Sequence, residues 1–191
     1  MTKVNSPQQC CCGCGCSCET NKKEVTIDYL YLDLNTCDRC IGTDTVLEEV
    51  MNQLSPALEL AGYSISYNKI EILSKELAIK HRFLSSPTIR VNGKDICDEV
   101  NESDCGCCGE ISGSQVDCRV FVYEGKSYEV PPKEMLAEAI LKNAFASTED
   151  NSIIQYVLPQ NLKNFLKVAL REQIISLKPV RKNSLLPVMT I

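Results

Sequence analysis

The sequence predicts an α/β domain with elements in the order β-α-β-α-β-β-α. Three observations carry that reading. Val25 to Leu34 is rich in β-branched, aromatic and leucine residues, the mark of a strand buried on both faces, although Asp28 and Asp33 interrupt it. Leu47, Val50, Met51, Leu54, Leu58 and Ala61 then recur at helical spacing. Asn92-Gly93, between Thr88–Val91 and Lys94–Cys97, is a two-residue hairpin signal.

Between those marks the elements follow in order. Thr45 with Glu48 fits a capping box, and with the flexible Gly42 before it the regular helix is expected to begin after Cys37-Asp38-Arg39-Cys40. Pro56 is expected to kink or divide that helix, and Gly62 to end it. Tyr63 to Ile72 reads as a second strand, and Ser74 as the cap of a helix from Lys75 to about Phe83. Ser85-Ser86-Pro87 breaks the chain before the third strand. Asp98 to Gln115 reads as a loop. Val116–Tyr123 and Lys126–Val130 form a second hairpin about Glu124-Gly125, and Pro132 suits the first turn of a helix running to about Phe145.

Three regions result: a cysteine-rich tail over 1–23, a folded domain over 24–146, and a C-terminal extension over 147–191. The tail has little apolar content to bury and is not expected to fold alone. Ser147 to Ser152 reads as a linker. Past it, Leu162, Phe165, Leu166, Ala169 and Leu170 mark one side of an amphipathic helix over about 160–177, with Lys163, Lys167 and Arg171 towards the other. That helix is expected to dock on its own domain or on a second copy; the alternative is contact of its basic side with a partner or an anionic membrane surface. Lys178 to Ile191 is expected to be poorly ordered.

Composition narrows the function. The 191 residues are 44% hydrophobic and carry a net charge of −5, which argues against nucleic-acid binding. No stretch approaches the roughly 18 apolar residues of a membrane helix. Met1 to Gln9 has no apolar signal core, so the expected location is cytoplasmic. There are 13 cysteines, an odd number, and a reducing compartment turns them towards metal binding or redox exchange. With His81 as the single histidine, a His-rich catalytic metal centre is excluded. No phosphate-cradling glycine loop or dinucleotide fingerprint is present, so no nucleotide cofactor is expected.

The cysteines fall into three groups. Cys37-Asp38-Arg39-Cys40 follows the first strand; its thiols can close on each other or share one ion. Cys10, Cys11, Cys12, Cys14, Cys16 and Cys18 alternate with glycine and serine, and dense thiolates on such a backbone suit zinc, copper, mercury or arsenite. Cys105, Cys107 and Cys108, with Cys118 beyond and Cys97 upstream, can close a tetrahedral thiolate site or act as a second thiol pair relaying electrons to Cys37 and Cys40.

CxxC at the first strand–helix junction, in this element order, resembles the thioredoxin-like superfamily. Ser86-Pro87-Thr88, leading into Ile89-Arg90-Val91-Asn92-Gly93, looks like that superfamily's cis-proline element. The likeness covers about residues 25–145, with 97–130 as an inserted cysteine-rich loop and hairpin. More narrowly, Thr36-Cys37-Asp38-Arg39-Cys40, Ser86-Pro87-Thr88-Ile89-Arg90 and Asp117-Cys118-Arg119 are similar to a bacterial cysteine-rich thioredoxin-like family of unassigned function. The resemblance implies Cys37 as attacking thiolate, Cys40 as resolving thiol, and Ser86 and Pro87 holding a thiol-bearing partner chain. A helix that starts after the CxxC would activate Cys37 less.

The expected function is binding or transfer of soft metal or metalloid ions by thiolates on this scaffold. One alternative is a thiol–disulfide oxidoreductase using Cys37, Cys40 and Pro87. The other is a zinc-stabilised interaction module.

Overall fold

The computed structural model describes residues 22–113, 115–146 and 156–167, a mixed α/β arrangement. The tail cysteines Cys10 to Cys18, the Ser147–Ser152 linker, Ala169, Leu170, Arg171 and the Lys178–Ile191 end lie outside the described residues. Strand β1 (Lys23–Tyr31) is central. It pairs in parallel with β2 (Tyr63–Glu71) and antiparallel with β3 (Thr88–Val91), and β3 pairs antiparallel with β4 (Lys94–Asp95). The sheet order is β2-β1-β3-β4.

Both faces of β1 are covered, as its apolar run requires. Val25, Ile27 and Tyr29 share a buried cluster with Leu47, Val50 and Leu58 of α1 (Asp38–Leu60) and Leu136 and Ile140 of α4 (Lys133–Phe145). The register places Ile27 opposite Val91 and Tyr29 opposite Ile89, so β3 adds two more side chains to that cluster. Leu30 and Leu32 join a second cluster, with Ile72, Ala78 of α2 (Lys75–Lys80) and Phe83. Each such side chain contributes about 1.5–3 kcal/mol on burial.

The CxxC helix departs from expectation. It begins at Asp38, with Cys37 as its N-cap, so the pair does not sit in a loop. Thr45 is inside the helix, and its hydroxyl donates back to the Ile41 carbonyl at 2.9 Å instead of capping. Gly42 is a point of close approach: a Cβ there would lie 2.7 Å from Val130 Cγ2. Pro56 does not divide the helix, which runs on to Leu60. Asn52, whose carbonyl has no N–H to accept from Pro56, and Pro56 are both exposed, so that carbonyl faces solvent. Gly42→Ala is expected to bring no gain in stability. Better helix propensity is worth about 1 kcal/mol, and crowding Val130 costs about 1–3 kcal/mol. A raised midpoint in urea unfolding would contradict this.

Helix α2 stops at Lys80, short of Phe83. Arg82 takes a left-handed conformation (φ 47°), its N–H bonds the Ile79 carbonyl at 3.1 Å, and Phe83 N–H bonds the Ala78 carbonyl at 2.9 Å. This closing motif turns Phe83 into the core. Asn92 and Gly93 both have positive φ (52° and 80°), the geometry of a tight hairpin. Strand β4 ends at Asp95, short of Cys97: the Ile96 N–H still reaches the Ile89 carbonyl at 3.1 Å, but the Cys97 N–H turns to the Asp95 carboxylate at 3.0 Å.

The expected loop 98–115 holds two elements, β5 (Asn101–Asp104) and α3 (Gly106–Ser112). Strand β5 pairs antiparallel with β6 (Asp117–Tyr123), which pairs with β7 (Lys126–Tyr128). All four β5 residues are exposed, so no apolar alternation announces the strand. Helix α4 starts at Lys133 with Pro132 as its N-cap.

Residues 160–167 are helical and pack on the domain. Leu162, Phe165 and Leu166 are buried in the Leu30 cluster, and Lys167 is exposed. Tyr156 Oη donates to the Phe83 carbonyl at 2.7 Å. Asn161 Nδ2 donates to Glu102 Oε1 at 3.0 Å and to the Asp117 carbonyl at 3.3 Å.

Candidate metal centre

Cys37 is delivered by a short turn after β1. The Asp33 carboxylate accepts the Asn35 and Thr36 N–H groups at 2.8 and 3.0 Å, and the Thr36 hydroxyl as well. Burial pushes the Asp33 carboxyl up, but these bonds outweigh it and hold the group below its usual range. The turn sets Cys37 at the start of α1 with its side chain fully buried.

Cys40 lies one helical turn on. Its Sγ is 3.4 Å from Ser86 Oγ, which accepts the Leu32 N–H at 3.1 Å. Tyr29 Oη donates to the Cys40 carbonyl at 2.6 Å. The Ser86-Pro87 peptide bond is cis and both residues are buried. The expected site residues Cys37, Cys40 and Pro87 therefore occupy one neighbourhood, with Ser86 as the link.

The insertion brings more thiols to Cys37. Cys105 is the N-cap of α3, anchored by its N–H to the Val116 carbonyl at 2.9 Å. Cys108 follows one turn later, and Cys118 comes from β6. The Sγ atoms of Cys37, Cys105 and Cys108 all lie within 4.8 Å of one another. Cys108 is 3.7 Å from Cys37 and 3.5 Å from Cys118. These separations far exceed a disulfide's ~2.05 Å. The 3.7 and 3.5 Å contacts are close to the edge of a thiolate tetrahedron around one ion, which for a ~2.3 Å zinc–sulfur bond is about 3.8 Å; Cys118 touches Cys108 but stands outside the group mutually within 4.8 Å. Among the described residues, Cys37, Cys105 and Cys108 are the group of metal-ligating side chains close enough to share an ion.

Protonation follows from this crowding. Hydrogen bonds from Cys105, Cys108, Cys118 and Cys40 outweigh burial and pull the Cys37 thiol well down. Cys108 and Cys118 bring Cys105 down to about 7. Cys108 is pushed up, chiefly by Cys105, and Cys118 by Cys105, Cys108 and Cys37. Cys40 is raised by Cys37 and by burial. Cys37 and, near neutral pH, Cys105 thus take the negative charge most readily, and the protons on Cys108 and Cys118 leave only when a cation compensates them.

Arg39, inside the CxxC, is a strap. It is buried, and its guanidinium donates to the carbonyls of Ser103 (3.2 Å), Cys118 (3.2 Å) and Asp104 (2.8 Å) and pairs with Glu129. Asp104 precedes Cys105, so one side chain of α1 holds both backbone segments that present the added thiols.

Two cysteines of the third group stay apart. Cys107 is half-buried, and its Sγ faces Asp38 Oδ2 at 3.9 Å. Cys97 packs with the other core cluster and is raised by burial, with Arg119 as a counter-influence. His81 caps the C-terminus of α2, its carbonyl accepts from Arg90 at 2.7 Å, and no histidine is among the groups acting on Cys37.

Two features went unread in the sequence. The second thiol pair was expected in this group, but its members, Cys105 and Cys108 in a CxxC that also begins at a helix N-cap, were not identified, and their spacing was the available signal. The Arg39 strap had no local signal, since its partners are backbone carbonyls 64 or more residues away.

No curated protein and no solved structure matches this chain. A family model, the domain of unknown function DUF2703, matches residues 24–140, from the first residues of β1 into α4. The chain therefore belongs to the DUF2703 family.

Proposed function

We propose that this protein binds soft metal or metalloid ions through Cys37, Cys105, Cys108 and Cys118 on a thioredoxin-like scaffold. The observation that carries the reading is the meeting of buried thiols from α1, α3 and β6, with Cys37, Cys105 and Cys108 mutually within 4.8 Å. Packing alone does not call for polar sulfurs from three elements at one point. The sheet order β2-β1-β3-β4, the CxxC at the β1–α1 junction and the cis Ser86-Pro87 bond support the scaffold. The tail cysteines Cys10, Cys11, Cys12, Cys14, Cys16 and Cys18 supply further thiolates for the same ions. The folded domain spans 24–146, and the protein works in the cytoplasm.

Anaerobic titration of the full chain with zinc or cobalt tests this. Tight uptake is expected, with a thiolate-to-cobalt charge-transfer band, and a variant whose six tail cysteines are serine should keep one tight site. Absence of that site overturns the reading. Affinity is expected to fall with pH. Cys108 and Cys118 hold their protons above the ordinary thiol range, and binding must expel about two protons per ion. Protons therefore compete more strongly at about pH 6 than at about pH 8. Proton release measured alongside the titration checks the sign.

The Cys37/Cys40 pair supports a second reading, a thiol–disulfide oxidoreductase. The observation favouring it is that Cys40, one helical turn from Cys37, lies 3.4 Å from the Ser86 hydroxyl beside the cis-proline. A Cys37→Ser variant that still reduces a protein disulfide would exclude it.

A further inference from the structure

We propose that the two cysteine pairs, Cys37/Cys40 and Cys105/Cys108, form an internal thiol–disulfide relay in which Cys37 and Cys108 are the exchanging sulfurs. This activity needs no bound ion and stands or falls apart from ion binding.

The two pairs are built alike. Each has its first cysteine at a helix N-cap and its second one turn on. The helices bring them face to face, with Cys37 Sγ 3.7 Å from Cys108 Sγ. That is sulfur–sulfur contact, just beyond the ~3–3.5 Å near-attack range of lighter atoms. Arg39 fixes the approach, because it grips the carbonyl before Cys105 from within the first pair. Cys37, Cys40 and Cys108 are fully buried, and Cys105 alone of the four is slightly exposed, at 3%. Outside reagents therefore meet the second pair first. Two sulfurs touch Cys108, Cys118 at 3.5 Å and Cys37 at 3.7 Å, and of these Cys37 alone has a CxxC partner, Cys40, to supply the second electron.

The chemistry balances as follows. A small-molecule disulfide is attacked by the Cys105 thiolate, and one thiol leaves. Cys108 then closes on Cys105, releasing the second thiol and forming the Cys105–Cys108 disulfide. The Cys37 thiolate attacks Cys108 Sγ, a Cys37–Cys108 bond forms, and Cys105 leaves as thiolate. Cys40 gives its proton to Cys105 and attacks Cys37, and Cys108 leaves in turn. The second pair is reduced and the first oxidised by two electrons, with no other reactant.

The test uses the full chain with Cys10, Cys11, Cys12, Cys14, Cys16 and Cys18 changed to serine, stripped of metal and treated with one equivalent of oxidised glutathione. Thiols are quenched with an alkylating agent and bridges mapped by peptide mass spectrometry. With Cys40→Ser, the final step is blocked and a Cys37–Cys108 bridge is expected as the main product. With both pairs intact, the bridge should pass from Cys105–Cys108 to Cys37–Cys40 at a rate independent of protein concentration. This second measurement serves if Cys40→Ser fails to fold. A Cys105–Cys108 or Cys108–Cys118 bridge without Cys37–Cys108 in the variant overturns the relay. So does a transfer rate that scales with concentration, or failure of either pair to oxidise. Zinc uptake by the same sample is read separately, so loss of the relay leaves the ion-binding result intact.

Discussion

Cys108→Ser is expected to weaken zinc binding about 100-fold, while Cys107→Ser, one residue away, leaves it unchanged. Structural zinc sites in peptides are worth about 10–16 kcal/mol, so one thiolate of four accounts for about 3 kcal/mol, on the order of 100-fold. Cys108 is the sharpest choice because it touches both Cys37, at 3.7 Å, and Cys118, at 3.5 Å. Cys107 has the same chemistry and neighbours in sequence but faces Asp38. Competition with a coloured zinc chelator measures both variants. Equal losses would mean that the thiols rearrange on binding and that the tetrad is not the site.

Asp95→Ala is expected to lower stability by about 3 kcal/mol, close to the bottom of the range for breaking a buried ion pair. Arg119 is fully buried and bonds Asp95 with both terminal nitrogens, at 2.8 and 2.9 Å. Among the described residues its Nε has no partner, so losing Asp95 removes both of the guanidinium's carboxylate bonds. Asp95 itself is 23% exposed, which lets some water in and keeps the cost from the top of that range. Arg119 also ties β6 to the cis-proline segment through its backbone, whose N–H donates to the Ser86 carbonyl at 2.7 Å. Guanidinium unfolding of the metal-free protein measures the loss. The pair Asp95→Leu with Arg119→Met is expected to recover most of it, because no charge is then left uncompensated. A small effect of Asp95→Ala alone would mean that Arg119 finds another acceptor.

The central sheet was readable because its signals are local. Val25 to Leu34 announced a doubly covered strand, Asn92-Gly93 a hairpin, and Ser74 a cap whose hydroxyl does accept the Leu77 N–H at 3.2 Å. The start of α1 was misplaced because Thr45 and Gly42 carry local cues that tertiary packing overrides: Gly42 serves Val130, and Thr45 bonds backward. Strand β5 and helix α3 were not readable at all. Asn-Glu-Ser-Asp has no strand pattern, and pairing with β6 together with the Arg39 strap makes it one. The site was half legible. Both thiol groups were visible, but which cysteines converge depends on how α3 presents alternate side chains. That turn sends Cys105 and Cys108 inward and Cys107 out.

The packing of residues 156–167 has a kinetic consequence. Leu158, Leu162, Phe165 and Leu166 lie in the same buried cluster as Cys37, Cys105, Cys108 and Cys118. An ion held by those sulfurs, of which Cys105 alone is slightly exposed, is expected to leave through local opening of this segment, latched by Tyr156 and Asn161. Residence time then reports the stability of the latch and not the strength of the metal–sulfur bonds. Release into a strong chelator would proceed at a rate that ceases to rise with chelator concentration. Loosening the latch would shorten the residence time even with every thiolate in place.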